Sequence, residues 1–290
     1  MPIGSIWLKW VRRRRWVIWR DEVTLVPPAL YFPRAAACAN QRTMPATPAW
    51  PPKSAPRLFV AGPLALAADI TIEGPQAHYL ARVMRVAAGD AVVLCDDLSG
   101  AWAARVLGAD KRAVALRVEA LLAPREQVPD FTLCASLLKK DRFDLVLEKA
   151  CELGVRSIQP VLTRRCVADK LNLERARSIL IEAAEQCART ALPELLAPVK
   201  LEGLLKDWPT GRSLFFADEH GGEQAAQQFA AFPGPAALFT GPEGGFDDAE
   251  RSAIRTLPQT RAITLGPRVL RGETAAIAGA ALWMGVRGDW

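Results

Sequence analysis

Three short segments combine glycine with charged or hydroxyl side chains. They are Asp218-Glu219-His220-Gly221-Gly222, Thr240-Gly241-Pro242-Glu243-Gly244-Gly245-Phe246, and Leu265-Gly266-Pro267-Arg268-Val269-Leu270-Arg271-Gly272-Glu273-Thr274. Glycine lets backbone N–H and C=O groups approach a ligand closely and adopt positive φ. Strand-to-helix turns also favour Gly and Pro. Here, however, two segments repeat Gly-Pro, and the last carries a compact Arg-x-Glu-Thr at a helix start. That pattern suits a ligand cradled by main-chain groups with an arginine and carboxylates beside it. Neither GxGxxG nor GxxxxGK[ST] occurs, so the dinucleotide and P-loop readings lack their fingerprints. Cysteines at 38, 95, 134, 151, 166 and 187 form no CxxC pair, and the only histidines are His78 and His220. No metal-ligand spacing results.

Four basic clusters are candidates for phosphate contacts. His78, Arg82 and Arg85 recur at i, i+4 and i+7. Lys139, Lys140 and Arg142 follow one strand-like run, and Arg164 and Arg165 follow the next. Gln186 and Arg189 lie three apart in a helical stretch. Any one such cluster is ordinarily a solvated surface; four near strand ends or on one helix point to a polyanion.

The elements that must position these residues follow from periodicity. RLFV (57–60), DITI (69–72), AVVLC (91–95), AWAARVL (101–107) and AVALRVE (113–119) read as short strands. Tight turns join them, as in a small β-barrel. A helix is expected at PQAHYLARVMR, with Leu80, Val83 and Met84 on one face. From 131 on, strands and helices alternate. Strands are expected at 131–138, 157–163, 213–218, 236–241 and 261–266, and helices at 142–154, 172–192, 223–231, 247–257 and 272–286. The 172–192 helix should bury Leu173, Ala176, Ile179, Leu180, Ala183 and Cys187. Such alternation predicts a parallel sheet covered on both faces, with ligands at the carboxyl ends of its strands. All three glycine segments fall there.

Half of the 290 residues are hydrophobic and 23% are charged, enough to bury a core. No apolar run reaches the roughly 18–20 residues that span a bilayer, which excludes an integral membrane protein with helical spans. Scattered cysteines without a signal peptide read as reduced thiols in the cytoplasm. The net charge of +6 resides in residues 1–56, which carry nine basic and two acidic groups; the other 234 residues carry 28 and 29. Nucleic-acid binding therefore has to come from local clusters. Residues 1–56 also hold five of nine tryptophans and nine of 22 prolines. They read as a disordered N-terminal extension, with residues 1–43 upstream of a start at Met44; a genuine tail or a targeting segment are the alternatives.

GPEGGF (241–246), LGPRVLRGETAA (265–276), LEKACELGV (147–155) and EAAEQCAR (182–189) together resemble the RsmE family. These are 16S ribosomal RNA uridine-N3 methyltransferases of the SPOUT superfamily. HYLARVMRVAAGD (78–90) is similar to the family's PUA-like RNA-binding barrel. The resemblance runs from 57 to 290; Gly272 departs from it, larger residues being commoner there. It implies an α/β fold: a PUA-like barrel over 57–124, then a SPOUT-type parallel sheet over 130–290 with a C-terminal trefoil knot. It further implies S-adenosylmethionine as cofactor, a homodimer, and 16S rRNA of the small subunit as partner, methylated at uridine 1498 in the family.

On that resemblance, Thr240, Gly241, Glu243, Gly245, Leu265, Gly266, Leu270, Thr274 and Ala275 are expected at the cofactor. N3 of uracil carries a proton at neutral pH, so negative charge develops on O2 and O4 as it leaves. Arg271 is the candidate to stabilise that anion. Glu273 is expected to orient Arg271 or act as base, with Glu243 a second candidate; helix capping is the simpler role for Glu273. RNA contacts are expected from His78, Arg82, Arg85, Lys139, Lys140, Arg165, Gln186 and Arg189. A non-catalytic RNA-binding assembly factor and a transfer-RNA methyltransferase remain as alternatives.

Overall fold

A computed structural model describes residues 50–110 and 112–290, all within one unit spanning Pro48–Trp290. The expectations for residues 1–49 lie outside the described residues.

The first sheet has strands β1 (Arg57–Phe59), β2 (Asp69–Glu73), β3 (Ala91–Cys95), β4 (Gly100–Ala109) and β5 (Ala113–Pro124), in the order β1-β3-β4-β5-β2. Among the described residues no ladder joins β1 to β2, so the expected barrel is a curled sheet with two edges. β5 alternates as its sequence does: Val114, Leu116 and Val118 are fully buried. The β3–β4 turn is built on Asp96. Its carboxylate accepts from the backbone N–H groups of Leu64, Leu98, Ser99 and Gly100 and from the Ser99 hydroxyl.

The helix of this half departs from expectation. α1 (Gly74–His78) runs directly into a π-helical turn, Tyr79–Met84, closed by the Arg85 N–H donating to the Leu80 carbonyl, with Arg85 itself left-handed at φ 55°. A π-turn takes up more residues than an α-turn, so the 3.6 period is broken. Ala77 and Leu80 are buried, but Val83 and Met84 face solvent.

The second sheet is parallel throughout. Its strands are β6 (Phe131–Ser136), β7 (Ser157–Leu162), β8 (Glu194–Leu195), β9 (Val199–Lys200), β10 (Ser213–Ala217), β11 (Glu223–Gln224), β12 (Ala236–Thr240) and β13 (Thr260–Thr264). The order is β11-β13-β10-β12-β6-β7-β8, with β9 also on β7. Helices α2 (Lys140–Glu152), α3 (Leu173–Cys187), α4 (Leu201–Lys206), α5 (Ala225–Ala231), α6 (Asp248–Thr256) and α7 (Gly272–Arg287) connect and cover it. Both faces are buried, so central β10 and β12 read SLFFA and AALFT without alternation. Phe215, Phe216 and Phe239 are wholly buried, each contributing about 2–3 kcal/mol of transfer free energy.

α3 ends earlier than its pattern suggests. Asn172 caps it, accepting from the Arg175 N–H, and Ala188 turns left-handed at φ 63°. Residues 188–192 therefore leave the helix, and Cys187 is exposed rather than inward.

Candidate active site

The carboxyl ends of β10, β12 and β13 meet in an open cleft. Of the residues expected at a cofactor, Gly241, Gly245, Leu265, Gly266, Leu270 and Ala275 line it. The 241–246 loop is fixed from behind. Phe246 packs edge-on against Phe216 and Phe239, with ring centroids 5.1 Å apart in both pairs. A Cβ on Gly241 would stand 2.7 Å from the Phe246 ring, so only glycine lets the chain pass this close. Gly266 has φ +125° and opens onto empty space; no side chain stands between its backbone and the cleft. The Gly245 N–H donates to the Pro242 carbonyl and the Gly266 N–H to the Thr264 hydroxyl, so the loops hold their own shape. Small and apolar residues dominate the lining, which fits an elongated small-molecule ligand.

One wall was not anticipated. Asp218, with a wholly buried side chain, accepts from Arg251 at 3.1 Å and from Arg255 at 2.8 Å. Burial alone would raise its carboxyl pKa; the His220 N–H, Arg255 and Arg251 outweigh that and hold it below the ordinary carboxylate range. Arg251 also donates to Glu219 at 2.9 Å, which sets the Glu219 carboxylate at the cleft beside Gly245. An acid following a strand was visible in the sequence; the two arginines that aim it come from α6, thirty residues on.

Four expected site residues sit differently. Thr240 is buried at the end of β12, beneath the cleft rather than lining it. Thr274 is exposed on α7 away from it. Glu243 turns toward the start of α2: it accepts from the Lys139 N–H at 3.2 Å and lies 3.9 Å from Arg142. Glu273 is buried and accepts from Arg142 at 2.7 Å, not from Arg271. Its second oxygen is buried without a hydrogen-bond partner. Arg142, apparent in the sequence only as one of a basic cluster, thus ties α2 to both the 241–246 loop and α7. Arg271 is the N-cap of α7 and exposed, and its side chain makes no hydrogen bond or ion pair among the described residues. It is free to meet a ligand from solvent.

The basic clusters divide. His78, Arg82 and Arg85 are exposed but do not share an α-helical face, because the π-turn and the left-handed Arg85 intervene. Lys139 and Lys140 are exposed at the start of α2. Arg165 donates to the Gly244 carbonyl at 3.1 Å, bracing the glycine loop, and Arg164 pairs with Asp247 at 2.9 Å. Gln186 is exposed. Arg189 is corrected outright. Beyond the end of α3 it turns inward, 5% exposed, and donates to the Cys151 and Val155 carbonyls at 2.8 and 2.7 Å. It closes the carboxyl end of α2 and is not available to RNA.

The sequence model of the RNA methyltransferase domain matches residues 124–284, and that of the RNA methyltransferase PUA domain matches 72–119. Fold and cleft together define the class as RNA methyltransferases. The chain is 32% identical over 225 residues to ribosomal RNA small subunit methyltransferase E of Synechocystis, covering 76% of this chain and 74% of that protein. It is 29% identical over 203 residues to the protein of the same name from Rickettsia conorii, covering 69% and 82%. The Neisseria gonorrhoeae ribosomal RNA small subunit methyltransferase E, solved bound to S-adenosyl methionine, superposes with a TM-score of 0.73 at 27% identity, covering 80% of this chain and 98% of that one. A methyltransferase from Legionella pneumophila, solved with the same cofactor, gives 0.74 at 27%, covering 81% and 99%. The chain belongs to the ribosomal RNA small subunit methyltransferase E family.

Proposed function

We propose that this protein methylates N3 of a uridine in the 16S rRNA of the small ribosomal subunit, at the family's target position, using S-adenosylmethionine. The observation that carries this reading is the glycine cleft at three parallel strand ends with the unpaired Arg271 at its edge. Main-chain groups of Gly241, Gly245, Leu265, Gly266 and Leu270 would hold the adenosine part, with Ala275 beside it and Glu219 as acceptor for a hydroxyl. Thr240 and Glu243 support the loops rather than touch the cofactor, and Thr274 lies away from it. When bound, the cofactor supplies an electrophilic methyl group on a sulfonium.

The chain's own residues do the rest. The loops hold the reactants close and aligned for an in-line displacement, which removes much of the entropic barrier. Arg271 faces the uracil oxygens and stabilises the charge that grows there as the N3 proton departs. Glu273, held by Arg142, is a positioning residue for the start of α7. Residues 57–124 serve as the RNA-binding part and 130–290 as the transferring part. Exposed His78, Arg82, Arg85, Lys139, Lys140 and Gln186 contact the RNA, while Arg165 acts through the glycine loop. The reading includes the superfamily's trefoil knot, a homodimer that brings one protomer's RNA-binding sheet toward its partner's cleft, and a cytoplasmic location with the ribosome.

Small ribosomal subunits lacking the modification, incubated with the protein and S-adenosylmethionine, should gain 3-methyluridine at one site by nucleoside mass spectrometry. No gain, or gain in transfer RNA instead, overturns the reading.

A further inference from the structure

We propose that a crevice beside the cofactor cleft, where β6 and β7 end, holds an unpaired RNA nucleotide adjoining the methylated one. This rests on the methyltransferase reading above. The crevice has a volume of about 380 Å³. Leu137, Leu138 and Phe143 wall it, and Lys140, Lys170 and Arg175 stand at its rim.

Position is the first reason. All strands of the second sheet are parallel, so their carboxyl ends lie along one edge. β6 neighbours β12, and paired strands are spaced about 5 Å apart. The crevice therefore opens next to the 241–246 loop. Little separates it from the cleft: Leu138 leans so far toward α7 that a Cβ on Gly272 would meet its side chain at 2.8 Å. A nucleotide adjoining one at Arg271 would come to this opening.

Charge is the second reason. Arg175 is spent in a two-pronged pair with Asp144. Lys140 and Lys170 have no salt-bridge partner among the described residues. The side chains lining the crevice thus carry a net charge of +2, from three cations and one anion. In the cofactor cleft, by contrast, Asp218 and Glu219 are tied to arginines of α6. The crevice is the one of the two with ammonium groups left over, which suits a phosphate. Apolar walls below two free ammonium groups match a splayed base with its phosphate above. Unpaired RNA presents that combination, whereas a duplex does not. An acidic peptide would satisfy the lysines but leave the apolar walls without a matching group.

The test uses the full chain and small subunits lacking the modification, with KM for subunits measured across salt concentrations. The variants are Lys140→Gln/Lys170→Gln, and Ala168→Phe, which fills the crevice from its loop side. S-adenosylhomocysteine titration reports whether each variant keeps its fold and cofactor cleft. The lysine pair should raise KM about tenfold and take about 2 from the slope of log KM against log salt. Ala168→Phe should raise KM similarly with the slope unchanged. S-adenosylhomocysteine affinity should hold in all of them. Unchanged KM and slope in both variants overturn the crevice alone and leave the methyltransferase reading standing. A raised KM without a change of slope in the lysine pair overturns the phosphate contact. Absence of 3-methyluridine with the unaltered chain overturns both readings.

Discussion

Arg271 caps α7 and its side chain has no partner among the described residues, while its neighbour Glu273 is held by Arg142. The free guanidinium is the one aimed at substrate; the paired carboxylate fixes the helix it extends from. A charge that meets uracil's anion acts far more strongly in the transition state than on the neutral base. Arg271→Ala should lower the single-turnover methylation rate by roughly 10²–10³, the usual loss for one preorganised donor. Cofactor affinity, measured by calorimetry, should change little, because main-chain groups provide it. Arg271→Lys should rescue only in part, since an ammonium cannot reproduce the planar fork. Lost cofactor binding with an intact rate at saturation would make Arg271 a part of the cofactor loop instead.

At the scale of elements, helix ends decide which basic residues face outward. α3 could have run on through Arg189, which would then share a face with Gln186. The left-handed Ala188 stops it, and Arg189 instead caps the last turn of α2 through two carbonyls. Removing that guanidinium takes the donor from the Val155 carbonyl and one of the donors from Cys151, which keeps the Gly154 N–H; the loss is about 1–3 kcal/mol. Arg189→Ala should therefore lower the denaturant midpoint markedly while leaving KM for small subunits near its original value. Unchanged stability with weakened RNA binding would restore Arg189 to the RNA surface.

Over the whole molecule, one apolar core crosses from sheet to sheet. Phe59, Val93, Cys95 and Ala101 of the first pack in the same cluster as Phe131 and Leu133 of the second and Val146 of α2. Polar ties cross too: Glu185 accepts from the Phe59 N–H at 2.8 Å, and Asp97 from the Leu192 N–H at 2.8 Å. Residues 57–290 should therefore unfold in a single calorimetric transition; two separated transitions would show that the sheets are independent. Acid should weaken the fold at the first sheet. Burial alone would raise the Asp96 carboxyl, but the Ser99 hydroxyl and three backbone N–H groups outweigh it and bring it to about 2. A carboxyl depressed in the folded state stabilises above its ordinary value and loses that contribution as pH falls toward the folded one. The loss should fall between about pH 4 and 2 and amount to about 1–2 kcal/mol after allowance for solvent screening. Asp96→Asn should flatten stability over that window, as followed by urea unfolding at each pH.

Legible in the sequence were the strand–helix alternation of the five longer strands of the second sheet, its parallel character, and the glycine-rich turns after three of them; the short β8, β9, β11 and α4 and the order of strands across the sheet were not. The legible features are local properties: alternating apolar runs, helix periodicity, and glycine where backbone must approach a ligand. Gly241, Gly245, Leu265, Gly266, Leu270 and Ala275, expected at the cofactor on the family resemblance, line the cleft. What tertiary structure alone decided is where polar side chains turn. Glu243 and Glu273 both face Arg142, more than a hundred residues from each in the chain. Glu219 is aimed by Arg251 of α6, and Arg189 is drawn inward to the Cys151 and Val155 carbonyls where α2 ends. The π-turn after α1 and the left-handed Ala188 undid two face assignments that assumed a 3.6 period. Periodicity records which way a backbone winds, but a charged side chain goes to the partner that compensates its desolvation, and the fold alone brings that partner near.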